Sequence, residues 1–368
     1  MIGSAPGAPA VVRPARPRLP AAPLLAPALG VALALVPVAA PGNITVLNLG
    51  FFTFLYVAQG LAWNILGGFA GYVSFGYAAF FGLGAYTTAL LWLGGWTPVL
   101  TFPVGGLVAA VFSLIVGVPT LRLVGPYFSI ATIGVGEAMR ILMLNLDRIT
   151  GGASGLNLPT AVPSKAWFYT AALLMAAVAY AAATWIRGSR FGLGLAALRM
   201  DLEAAETLGV RTALFKNVAH MISAFLVGVC GGLFATYFQY LHPDTVFSFT
   251  ESISLVLIAL IGGLGTIWGP ILGAAVFYAV QDYLQTSYPT FHLLAYGILL
   301  IVILLFEPRG LAGLAARIWG HYRPGAPPIA AAPAAPGAFG PPAVPVPGET
   351  GSHVPAPDGP GPVPGSTA

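Results

Sequence analysis

The sequence predicts an all-α integral membrane protein, a polytopic bundle of about ten (8–10) transmembrane helices with both termini in the cytoplasm. Hydrophobic residues are 57% of the 368-residue chain and charged residues 7%, with a mean hydropathy of +0.86. A soluble domain carries roughly a quarter charged residues, so water would not wet this surface. Apolar stretches recur at the length of about 20 residues that a bilayer-spanning helix needs. The basic residues collect in alternate connections, which is the pattern of a multi-pass chain.

In chain order, residues 1–20 are a Pro/Ala/Gly segment with Arg13, Arg16 and Arg18, and residues 324–368 are a second such run. Neither buries enough apolar surface to offset chain entropy, so both read as disordered tails around a membrane domain at 21–323. Its apolar segments fall at about 22–40, 46–66, 70–93, 98–118, 126–146, 166–186, 217–240, 251–262, 268–285 and 291–306. With the N-terminus inside and ten crossings, twelve of the fifteen Lys and Arg lie on the cytoplasmic side, Arg148 and Lys165 lie outside, and Arg140 sits within a span. A single crossing through 251–285 would place Arg309 outside, so two crossings or a re-entrant pair are favoured there. The first segment also admits a reading as a cleaved signal peptide, because Val38-Ala39-Ala40 resembles a small-residue cleavage site.

Several chemistries are excluded. Cys230 is the single cysteine, so there is no intrachain disulfide and no CxxC metal or redox motif. The chain has no GxxxxGK[ST] run and so no phosphate-cradling loop of its own. Asp147, Asp244 and Asp282 are scattered, which argues against a membrane-embedded enzyme holding a metal or phosphate. Neither catalytic nor metal-ligating residues are assigned. The pI of 9.2 reflects where the charges sit relative to the membrane, not a nucleic-acid partner.

The informative features interrupt the spans. Gly67-Gly68-Phe69-Ala70-Gly71-Tyr72-Val73-Ser74-Phe75-Gly76 breaks the boundary of the second and third segments, and Gly262-Gly263-Leu264-Gly265-Thr266-Ile267-Trp268-Gly269-Pro270 does the same between the eighth and ninth. Paired glycine interruptions point to a binding site or pathway at the midplane; the alternative is that Gly76, Gly82 and Gly84 form a helix-packing face. Glu137 and Arg140 are spaced i,i+3 on the fifth segment and share a face. With that helix starting near Pro126, Glu137 lies about 16 Å in. Facing the protein interior as a pair they are tolerable there, either as a functional site or as a structural ion pair that fixes register. Asn64, Ser74, Tyr77 and Thr132 are further polar candidates for a pathway, and His220 reads as interfacial.

Residues 187–216 form a 30-residue loop with five basic and three acidic residues. Leu198 through Gly209 reads as a short amphipathic helix, with Leu198, Leu202, Ala205 and Leu208 on one face and Gly209 as its C-terminal stop. Such a helix either packs on the bundle or offers side chains to a soluble partner.

Glu203-Ala204-Ala205-x-x-x-Gly209 is similar to the EAA-type motif of ABC importer permeases. Further stretches narrow the resemblance: Gly71-Tyr72-Val73-Ser74-Phe75-Gly76-Tyr77-Ala78-Ala79-Phe80-Phe81-Gly82-Leu83-Gly84-Ala85-Tyr86, Gly125-Pro126-Tyr127-Phe128-Ser129-Ile130-Ala131-Thr132, Thr150-Gly151-Gly152-Ala153-Ser154-Gly155-Leu156, Gly262-Gly263-Leu264-Gly265-Thr266 and Pro308-Arg309-Gly310-Leu311. Across roughly 45–315 the chain resembles LivM-like permease subunits of branched-chain amino acid (HAAT family) ABC transporters. It departs from the family at Tyr77, where a histidine is frequent, and in its proline-rich tail.

The resemblance implies a permease of the bacterial cytoplasmic (inner) membrane that itself does no covalent chemistry. Its implied partners are a homologous LivH-like second permease subunit, two cytoplasmic ATPase subunits that bind the ATP, a periplasmic or lipid-anchored substrate-binding protein, and membrane lipids. Arg199, Asp201, Glu203, Ala204, Ala205 and Gly209 would form the coupling helix. The outer loop with Thr150, Gly151, Gly152 and Gly155 would meet the binding protein. The implied cargo is a branched-chain amino acid, with urea or short amides open within the same family. A stand-alone ion-coupled transporter using Glu137 and Arg140 is the competing reading.

Overall fold

The computed structural model describes residues 43–159 and 163–287, with scattered positions at 33–37 and 294–313. The expected first and last spans and both tails fall almost wholly outside the described residues. Helix α1, Ile44–Asn64, starts where the Asn43 side chain accepts from the Val46 N–H, and it runs on into a single π-helical turn, Ile65–Phe69. The chain then continues as α2 (Tyr77–Leu93), α3 (Pro98–Thr120), α4 (Pro126–Leu144) and α5 (Lys165–Gly188). The prolines opening α3 and α4 suit a first turn that needs no N–H. After α5 come α6 (Arg190–Met200), α7 (Leu202–Thr207), α8 (Thr212–Phe238), α9 (Phe249–Gly262) and α10 (Trp268–Ser287).

Among the described residues, six helical stretches are long and apolar enough to cross a membrane: Ile44–Phe69, Pro98–Thr120, Pro126–Leu144, Lys165–Gly188, Thr212–Phe238 and Pro243–Gly262. The stretch 251–285 divides into α9 and α10, joined by a tight glycine turn, as the charge placement favours. With 14 residues α9 is too short to span alone, and the one-turn helix Pro243–Val246 ahead of it extends the apolar stretch to 20. The third apolar segment becomes helical only at Tyr77 rather than near 70, because residues 70–76 run as a non-helical connection.

Helix α8 is the centre of the bundle. It packs along α3 and α2, while α1 packs along α5 and α10 lies against α9 and α1. Between lipid-soluble helices there is little hydrophobic drive to associate, so close van der Waals contact between backbones has to supply it. Gly84 of α2, Gly105 and Gly106 of α3, and Gly228 of α8 make that contact. A Cβ on Gly84 would run into the Gly228 carbonyl, and one on Gly228 would lie 2.7 Å from Ala109 Cβ. The packing face expected for Gly84 therefore exists, whereas Gly76 sits against the Thr132 carbonyl and Gly82 against the Phe247 ring. An aromatic cluster fills the next layer, with Phe51 stacked on Tyr237 at 4.3 Å and Lys165 Nζ 3.7 Å above the Tyr237 ring.

His220 is not interfacial. Helix α8 begins at Thr212, two turns before His220, so the imidazole is buried with its edge toward Phe80 at 5.0 Å. The close α2–α8 contact predicts that Gly84→Val overpacks the bundle by about 1–3 kcal/mol. Loss of the monodisperse, detergent-solubilised protein at a lower temperature would register it; an unchanged melting profile would disprove the tight contact.

Candidate functional site

The two glycine-interrupted runs meet. Asn64, the last α-helical residue of α1, accepts from the Gly265 N–H at 2.9 Å and donates to the Thr266 carbonyl at 2.8 Å. Its amide thus ties the end of α1 to the backbone of the second break and supplies the partners missing there. From the 187–216 loop, Arg199 Nη1 donates to the Gly68 carbonyl at 2.5 Å, a group freed by the π turn. A cation at an open helix C-terminus is favoured by both the hydrogen bond and the dipole. A Cβ on Gly265 would collide with the Arg199 guanidinium, so glycine is required for this approach. Burial lowers the Arg199 pKa from the ordinary guanidinium value, and the side chain remains a cation at neutral pH.

The connection 70–76 is held the same way. Trp63 Nε1 donates to the Ser74 carbonyl at 2.9 Å, Ser129 to the Val73 carbonyl at 2.7 Å, and the Phe75 N–H to Thr132 Oγ1 at 3.1 Å. The buried Lys216 ammonium, at the foot of α8, donates to Tyr72 Oη at 3.0 Å and to the Leu121 carbonyl at 3.1 Å. Asn64, Ser74 and Thr132 therefore all serve non-helical backbone. Tyr77 is buried too: its hydroxyl is hydrogen-bonded to that of Ser223 at 2.8 Å, and Ser223 donates to the Ala62 carbonyl at 2.5 Å.

The helix expected over 198–209 is two helices. Asp201 leaves helical geometry at φ −159°, and its side chain accepts from the Ala204 N–H at 3.0 Å, so it caps a new helix instead of continuing the old one. An aspartate that bonds to the backbone two or three residues on competes with the helix interior. Helix α7 ends as expected at Gly209, φ +83°, with the Val210 N–H reaching back to the Ala205 carbonyl at 3.0 Å. Leu198 and Ala205 are buried, but Leu208, just past the end of α7, is 83% exposed. Asp201, Glu203, Ala204, Glu206 and Thr207 are exposed with it. Arg199 points the other way, into the bundle.

Glu137 and Arg140 form the expected pair, with Nε of Arg140 3.0 Å from Glu137 Oε2 and Nη2 2.5 Å from Oε1. The interior placement does not hold within this chain: the Glu137 and Arg140 side chains are 47% and 30% exposed. Arg140 also pairs with Asp244, a residue sequence reasoning left isolated. Only the fold brings positions 140 and 244 together. A cleft of about 280 Å3 opens beside them, lined by Phe75, Ala78, Ile133, Gly136, Glu137, Phe247, Phe249 and Ser252. Among the described residues, no group of three or more His, Cys, Asp or Glu could hold a metal ion.

The loop after α4 clamps onto the chain leading to Asp244. Thr150 donates to the Met143 carbonyl at 2.7 Å, and Gly151, Gly152 and Gly155 turn the chain at positive φ. Strand β1 (Leu156–Asn157) then pairs antiparallel with β2 (Tyr240–Leu241), and His242 Nε2 lies 3.1 Å from the Ala153 carbonyl. Because α5 alone runs between them, this loop and the α6–α7 loop sit at opposite ends of the bundle.

Six span-length apolar helical stretches, helix breaks that bond to one another and a charged loop at one end define a multi-pass membrane protein. The family described as "Branched-chain amino acid transport system / permease component" matches residues 45–304, and the chain belongs to it. The permease protein LivM of the high-affinity branched-chain amino acid transport system of Escherichia coli (strain K12) is 32% identical over 320 residues, 76% of this chain and 73% of that one. LivH of the same strain is 25% identical over 290 residues, covering 70% and 91%. The autoinducer 2 import system permease protein LsrC of Yersinia pseudotuberculosis is 27% identical over 187 residues, covering 49% and 52%. No solved structure matches the chain.

The Arg199 contact predicts that Arg199→Ala, which strands the Gly68 carbonyl, costs about 1.5–3 kcal/mol. Hydrogen exchange should then accelerate at residues 65–76 and 263–267 with α8 unchanged. Unaltered exchange at both breaks would show that Arg199 does not hold them.

Proposed function

We propose that this chain is the LivM-like half of the membrane pathway of an ABC importer for branched-chain amino acids in the bacterial inner membrane. Family membership and the relatives' descriptions support the permease role and the substrate class. A LivH-like second subunit completes the pathway, two cytoplasmic ATPase subunits bind the ATP, and a binding protein delivers cargo at the Thr150–Gly155 end. Ten crossings with both termini inside accommodate the basic residues of the whole chain. The chain acts as a conduit and catalyses no covalent step.

The observation that carries the mechanism is the disposition of the 187–216 loop. Its short helix α7 exposes Asp201, Glu203, Ala204, Glu206 and Thr207, while Arg199 and Lys216 on either side are bonded to the break at 65–76. A push on α7 by an ATPase is therefore delivered to the π turn and, through Asn64, to the α9–α10 turn. These are the parts of the bundle with non-helical backbone, where a second arrangement costs least. Coupling then needs no movement of the tightly packed α2–α3–α8 face.

In proteoliposomes holding all four kinds of subunit, leucine uptake should require ATP. Glu203→Ala and Gly209→Val, the latter adding about 1–2 kcal/mol of strain at a left-handed position, should weaken ATPase association and reduce uptake together. Uptake driven by an ion gradient without ATPases would refute the importer; association and uptake untouched by both substitutions would refute α7 as the coupling element.

A further inference from the structure

The half-exposed charges on α4 are out of place on a surface that faces lipid. An uncovered carboxylate in hydrocarbon is costly, and charged residues in spans face a protein interior or a watery cavity. Helix α4 is the least buried of the six long spans, and Ile130, Ile133, Glu137 and Ile141 all lie on its open face. Both the open face and the charges fit a wall of an aqueous pathway completed by another subunit.

The lining of the cleft at that wall joins one carboxylate, one hydroxyl and an apolar surface. The carboxylate is Glu137, which Arg140 ties to Asp244 outside the lining. Two carboxylates sharing one guanidinium leave one negative charge in excess. Ala78 and Ser252 bring the first turns of α2 and α9 to the cleft, and helix N-terminal ends carry partial positive charge. Ser252, buried in the first turn of α9, accepts the Ala78 N–H at 2.9 Å, which leaves its own O–H to donate. Phe75, Ile133, Phe247 and Phe249 make up the apolar surface. The volume of about 280 Å3 is at the small end of ligand pockets, which run from about 300 Å3 upward.

The geometry points to this cleft as this chain's half of the substrate site, reading an aliphatic α-amino acid as a zwitterion. Glu137, with the excess charge it shares with Asp244 through Arg140, takes the ammonium, the Ser252 hydroxyl at the α2 and α9 helix starts takes the carboxylate, and the Phe75–Ile133–Phe247 surface takes the side chain. The inference rests on the importer reading above and deepens it: the permease, and not only the binding protein, distinguishes amino acids from neutral amides or simple acids. Arg140 is a positioning residue that holds Glu137 at the cleft and links it to Asp244.

The test uses the assembled complex in nanodiscs without binding protein, titrated with leucine and with 4-methylpentanoate, which is leucine lacking its ammonium. Leucine should bind at least about tenfold more tightly, as loss of a charge-assisted hydrogen bond requires. The Glu137→Gln/Asp244→Asn double variant should lose most of that preference while retaining 4-methylpentanoate, an outcome that mere unfolding would not give. Equal binding of the two ligands by the unaltered complex, or a preference unchanged in the variant, overturns the site. ATP-driven leucine uptake by the same unaltered complex separates the two levels. If uptake is present while the preference is absent, only the site fails; if uptake is absent, the importer reading fails and the site with it.

Discussion

The pairing of two broken helices through Asn64 is the interaction on which the rest of this bundle depends. In hydrocarbon each backbone N–H and C=O needs an internal partner, so non-helical chain survives only where protein supplies one. Here α1 unwinds through a π turn at Ile65–Phe69, and the α9–α10 turn opens at Gly263–Ile267. The Asn64 carboxamide at the end of α1 satisfies the α9–α10 turn, while Arg199 and Lys216 bond to the first break. The seven residues after the π turn are then bonded by Trp63, Ser129 and Thr132. Removing any of these would strand a polar group, so the irregular region behaves as one cooperative unit.

Much of this was legible beforehand. Span-length apolar runs located α1, α3, α4, α5 and α8, since burial in lipid and helix length impose the same pattern. Charge placement favoured the division of 251–285. The glycine runs marked both breaks, because close backbone approach leaves no room for Cβ. The mutual contact of the breaks was not legible, since it depends on an asparagine whose partners are 201 and 202 residues away. Two cations placed on the cytoplasmic surface by counting turned out to point inward. A count of charges records which end of the bundle they occupy and not which way a long side chain reaches. The loop helix misled for a local reason: the apolar spacing of Leu198, Leu202 and Ala205 suits one continuous helix, but Asp201 is a better cap than an interior residue.

The site residues divide by what surrounds them. Asn64, Ser74, Tyr77 and Thr132 are enclosed and fully engaged with backbone or hydroxyl partners, so their polarity is a condition of the fold. Glu137, Arg140 and Asp244 are open, and their charge exceeds what this chain alone neutralises.

The long reach of these contacts also bears on how the chain is made. Segments enter the membrane in order, yet β1 has no strand to pair with until Tyr240 and Leu241 have crossed, and Arg140 waits 104 residues for Asp244. Asn64 waits longer still, its carboxamide without the Gly265 and Thr266 partners until the ninth and tenth helices arrive. A nascent chain halted after α8 would hold most of its apolar mass in the membrane with that carboxamide unmatched. That is a form membrane quality-control proteases and chaperones would have the longest time to recognise.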